Sequence, residues 1–79
     1  MGAALKIVPL EPGPRQSLTM YSWWTLPSGQ IVEARRIVGE HHPEVVVRNV
    51  NKDGELAPGE YQLTLTFLVR HGKQVRVAR

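Results

Sequence analysis

A chain of 79 residues makes one domain, and a domain of this size hides only about 60% of the surface its unfolded chain exposes, so its stability is thin. It contains no cysteine, which excludes a disulfide framework and a thiolate metal site, and its 42% hydrophobic content is too high for a disordered chain. The formal net charge is +3, from ten Lys and Arg against seven Asp and Glu, a mild excess that permits nucleic-acid binding without demanding it.

The N-terminal stretch Met1 to Pro14 has one basic residue, Lys6, and a short apolar run broken by Pro9. It has neither a charged leader nor a cleavage signature, so no secretory signal is expected. No apolar run approaches the ~18 residues of a membrane-spanning helix. The expected location is therefore the cytoplasm, or a particle assembled there. Residues 1–4 are expected to be a flexible lead-in to a single domain over 1–79. Leu5 to Leu10 reads as a short strand that lies at a sheet edge or ends at Pro9, because Pro9 has no N–H to give to a ladder. Glu11-Pro12-Gly13-Pro14 reads as a stiff connector.

Leu18 to Leu26 and Ile31 to Val38 read as a hairpin closed by Pro27-Ser28-Gly29. A three-residue loop pairs Leu26 with Gln30, Trp24 with Val32, Ser22 with Ala34, Met20 with Arg36 and Leu18 with Val38. That register collects apolar residues on one face, whereas a two-residue turn mixes the faces. Trp24 then enters the core. Trp23 faces outward with Tyr21, opposite Glu33 and Arg35, on the face that also carries Ile31 and Ile37. Arg36 is a misfit on the inner face, expected to snorkel from its margin.

After the loop Gly39 to Pro43, Glu44 to Val50 reads as a strand covered on both sides, since valines fall on each face. Asn51 to Glu55 is a loop. Tyr61 to Arg70 alternates strictly: Tyr61, Leu63, Leu65, Phe67 and Val69 on one face, Gln62, Thr64, Thr66, Leu68 and Arg70 on the other. This predicts a half-buried antiparallel strand with Leu65 and Phe67 inside. Gln74 to Ala78 is the last strand, and the loop His71-Gly72-Lys73 sets Val69 against Val75 and Phe67 against Val77. No helix is expected, because no segment keeps a 3.6-residue apolar period for three turns.

The expectation is an all-β fold: a single small antiparallel β-sandwich or barrel of about six strands. Leu56-x-Pro58-Gly59-x-Tyr61-x-Leu63-x-Leu65 resembles the start of the sixth strand of immunoglobulin-like and fibronectin type III sandwiches. Ser17 to Trp23, followed by Pro27, resembles the second strand of fibronectin type III. The resemblance implies two packed sheets and a tyrosine that bonds back to the backbone upstream. It implies no binding residue. An SH3-like or OB-like barrel fits the length as the alternative.

No catalytic constellation is present: the carboxylates are scattered, the serines lack a nucleophile-elbow context, and there is no glycine-rich phosphate loop. The chain is read as non-enzymatic, with no cofactor and no metal site. Adjacent histidines on an extended chain point apart, so His41 and His42 do not suit one metal, and His71 is a third loop histidine. Asn49 to Glu60 follows the calcium-loop spacing D-x-[DN]-x-[DN]-G-x₅-E except that Asn stands first. Its strand-like flanks favour an Asp-Gly turn instead.

Two functions remain. One is a structural or assembly module that binds a protein partner through Tyr21, Trp23 and Arg35, since Trp, Tyr and Arg most often anchor interfaces. The other is a small nucleic-acid-binding barrel in which Arg70, Lys73, Arg76 and Arg79 hold phosphates while aromatics stack on bases. A membrane partner is not expected.

Overall fold

A computed structural model of the chain describes residues 6–9 and 18–78. The expected lead-in at 1–4, the connector Glu11 to Pro14, Ser17 of the resemblance and Arg79 lie outside the described residues. The described residues form an all-β fold: β1 (Lys6–Pro9), β2 (Trp23–Thr25), β3 (Ile31–Val38), β4 (Glu44–Val50), β5 (Leu56–Thr64) and β6 (Lys73–Ala78), with one short helix, α1 (Leu65–His71). The six strands form one antiparallel sheet in the order β1-β6-β2-β3-β4-β5. Two packed sheets, as in the immunoglobulin-like architecture, are not seen among the described residues.

The β2–β3 hairpin has the three-residue loop that the pattern requires. Leu26 N–H donates to Gln30 O at 2.8 Å, Gly29 closes the turn at φ +93°, and Trp24 stands opposite Val32. The core is built on this face: Trp24, Val32, Ala34, Val45, Val47 and Leu68 are fully buried. β4 is covered on both sides as its valines suggested, with Val46 buried as well as Val45 and Val47.

Three expectations are corrected. The first strand of the hairpin does not run from Leu18. Tyr21 has φ +67°, and Tyr21 N–H and Ser22 O both bond Ala34, so β2 leaves regular pairing above Trp23. The pairings of Met20 with Arg36 and Leu18 with Val38 do not form.

Second, β3 carries a bulge at Arg35, because Ala34 pairs with Val47 and Arg36 with the adjacent Val46. One extra residue reverses the parity of everything after it. Arg36 is thereby turned off the inner face, where it reaches Glu60 at 3.2 Å, and Ile37 moves opposite buried Val45. The bulge removes the misfit that the sequence showed at Arg36.

Third, Leu65 to Arg70 is helix, not strand. β5 runs out of partner: Glu44 opposite Thr64 is the last pair, and Leu65 N–H donates to Pro43 O at 3.0 Å. Beyond that point the backbone must satisfy its polar groups locally. Thr64 is the N-cap, accepting from Phe67 N–H through its hydroxyl at 3.1 Å, and Arg70 and His71 stand in the last turn, where positive charge suits the helix dipole. The change of period from 2 to 3.6 changes which residue points inward: Leu68 is fully buried, while Phe67 and Val69 are exposed. The pairings of Val69 with Val75 and Phe67 with Val77 fall away. Instead α1 carries the chain from one sheet edge back to β6, which pairs with β2.

Candidate functional site

The three residues singled out for a partner, Tyr21, Trp23 and Arg35, come together on the sheet face opposite the core. Two irregularities put them there. The turn Thr19-Met20-Tyr21-Ser22, closed by Ser22 N–H to Thr19 O at 3.2 Å, holds Tyr21 in the left-handed region, which bulky residues seldom adopt. The bulge at Arg35 turns the guanidinium onto the Tyr21 ring, with Cζ 5.1 Å from the ring centroid. Bulges of this kind re-aim side chains.

Glu33 organises the group. Its Oε1 accepts from Trp23 Nε1 at 3.0 Å, and its Oε2 pairs with Arg35 Nη1. The carboxylate is almost buried and both of its oxygens are bonded, so it fixes the indole and the guanidinium relative to each other. Trp24 supports the same turn from the core side. Its Nε1 donates to Ser22 Oγ at 2.9 Å, and Ser22 Oγ donates to Thr19 O at 2.6 Å. The buried indole thus anchors the turn that presents Tyr21, a residue 64% exposed.

A groove of about 380 Å³ lies beside this cluster, between the turn from Thr19 to Trp23 and the β6 residues Gln74, Val75 and Arg76. It exists because β2 pairs with β6 only through Trp23–Thr25 against Lys73–Val75. Reading the sequence found the aromatic and basic members of the cluster but not the role of Glu33. The available signal was the Glu33-x-Arg35 spacing opposite Trp23.

The candidate phosphate-binding residues are not brought together in the same way. Arg70 is on α1, and Lys73 and Arg76 lie three apart on β6, where odd and even positions face opposite sides. Arg79 lies outside the described residues.

The residues of the calcium-loop spacing are committed elsewhere. Asn51 Oδ1 accepts from the N–H groups of Asp53 and Glu55, both at 2.9 Å, Gly54 turns the chain at φ +82°, and Glu60 pairs with Arg36. Asn49, in β4, accepts from the Tyr61 hydroxyl at 2.5 Å. Tyr61 therefore bonds across to a side chain of the neighbouring strand and not to upstream backbone, as the sandwich resemblance implied. Partial burial raises its phenol pKa above the ordinary value. Of the histidines, His71 packs its ring against Phe67 at 5.3 Å between centroids, while His41 and His42 are exposed in the loop before β4.

No family model matches the chain, and neither a curated protein nor a solved structure was found to be similar to it.

Proposed function

We propose that the chain is a non-enzymatic interaction or assembly module that binds a protein partner through Tyr21, Trp23 and Arg35. The observation that carries this reading is Tyr21: an exposed aromatic ring held at positive φ and stacked under an arginine that Glu33 fixes in place. A strained residue kept by its surroundings is a pointer to function. Aromatic and arginine side chains that are already ordered lose little entropy on binding, which favours them as anchors. The one-sheet order, in which β6 returns to pair with β2, favours the SH3-like alternative over the immunoglobulin-like one. Fold analogy adds nothing about the partner.

Nucleic acid is the second reading, resting on the exposed Arg70, Lys73 and Arg76. Their spread over α1 and the two sides of β6 argues for the protein partner. The test is affinity capture from the native host with wild type, Tyr21→Ala and Arg35→Ala, with Glu55→Ala as the surface control. The expected result is a protein retained by wild type and the control and lost from the other two, since an anchor is worth about 2 kcal/mol or more. Binding to single-stranded oligonucleotides that falls steeply with salt, and that is insensitive to Tyr21, would support the nucleic-acid reading instead.

A further inference from the structure

An open sheet has two edges, which among the described residues are β1 and β5. Edges are hazards that proteins usually guard with proline, lysine or bulges. β1 is four residues long and carries both Lys6 and Pro9. The first part of β5 is guarded too, by Pro58 and by the register shift opposite Arg48 and Val50. Its second part, Glu60-Tyr61-Gln62-Leu63-Thr64, has neither proline nor lysine and no bulge, and among the described residues no strand pairs with its outer side. Glu60, Tyr61, Gln62 and Thr64 are exposed.

The backbone polarity of this stretch follows from one bond. Leu65 N–H donates to Pro43 O, so Leu65 turns its backbone groups toward β4. Alternation does the same for Leu63 and Tyr61, and turns the groups of Glu60, Gln62 and Thr64 away from the sheet. We infer that this edge pairs with the same edge of a second copy of the chain, antiparallel about a two-fold axis at Gln62.

Self-pairing is what the residues fit. About that axis Gln62 faces its own copy, Glu60 faces Thr64 and Tyr61 faces Leu63. No like charges stand opposite each other, the two carboxamides can bond across the axis, and an aromatic ring meets an aliphatic side chain in the close, non-hydrogen-bonded position. The Thr64 carbonyl starts the helix ladder and is not free. The pair therefore gains two bonds at Gln62, and one from each Thr64 N–H to the Glu60 carbonyl of the other copy. An interface of one self-complementary patch closes as a dimer and does not grow into a fibre.

The test is size-exclusion chromatography with light scattering and sedimentation equilibrium over about 5 to 500 µM, the range suited to a small interface of under about 1,200 Å². Wild type should be a monomer–dimer equilibrium. Gln62→Pro removes one outward N–H and no bond to β4, and should raise the dissociation constant at least tenfold while the β circular dichroism is kept. Gln62→Glu sets two carboxylates across the axis and should do the same, and it decides the matter should the proline variant not fold. Glu55→Ala, an exposed change in the loop before β5, should dimerise as wild type does. A wild type that stays monomeric throughout, or a dimer that survives both Gln62 changes, overturns the inference.

Discussion

Tyr21 and Tyr61 show how place determines what one residue type does. At Tyr21 the left-handed backbone costs an L-residue about 1–2 kcal/mol, and an exposed stack with Arg35 returns about 0.5–1 kcal/mol. Tyr21→Gly should therefore melt no lower than wild type in urea, while Tyr21→Ala, which keeps the strain and loses the stack, should melt lower. The opposite order would show that the ring and not the backbone dominates. Tyr61 is raised by desolvation, and its hydroxyl donates to Asn49. Above about pH 10 the unfolded phenol ionises first, so the native state holds the extra proton. The contribution of Tyr61 to stability is then fully present below pH ~10 and is lost as pH rises through the higher native value. In a Tyr21→Phe variant, phenolate absorbance should appear at higher pH in the native protein than in urea. Coincident curves would refute the burial argument.

At the scale of the element, α1 is the sharpest case. Leu68→Ala should cost about 2–5 kcal/mol, because Leu68 is fully buried against the core, and Phe67→Ala should cost much less. Thr64→Ala removes the N-cap and should cost about 0.5–2 kcal/mol, more than an ordinary exposed strand position. A strand over the same residues predicts the reverse order of Phe67 and Leu68, so urea midpoints of the variants separate the two. Gly72 ends the helix, and there a Cβ would lie 2.5 Å from Leu68 O and 3.3 Å from Trp24 Cε3. Gly72→Ala must push the helix end off the indole. Bulges act at the same scale: Arg35 shows that one inserted residue can place two neighbouring arginines in different settings.

At the scale of the molecule, the one core and one sheet of the described residues imply one cooperative unit. The helix joins edge strand β5 to β6 across the intervening β2, β3 and β4, so no part of the sheet can unfold with its own local core. Calorimetry of the 79-residue chain should show a single two-state transition of about 55 kcal/mol, from roughly 0.7 kcal/mol per residue. Two resolved transitions would mean that β5 and α1 form a separate unit. The molecule also has a division of surfaces: the cluster around Glu33 lies on the β2–β3 part of the sheet, and the open β5 edge lies beyond β4.

The sequence by itself determined the β class, the limits of β3 and β4, the three-residue hairpin loop, and which of two adjacent tryptophans enters the core. These follow from alternation and turn chemistry, which act between near neighbours and need no distant partner. It also named Tyr21, Trp23 and Arg35 as one group, but the turn at Tyr21 and the bulge at Arg35, not the loop register alone, bring them together. Only the tertiary structure decided the rest. Alternation continues through Leu65, Phe67 and Val69, but β4 ends at Glu44, and without a partner the backbone bonds to itself as a helix. The bulge at Arg35 and the turn at Tyr21 depend on what lies across the ladder. That is also why Glu33, one acid among several in the sequence, becomes the group that holds the cluster together: its meaning comes from the two side chains that folding brings to its two oxygens.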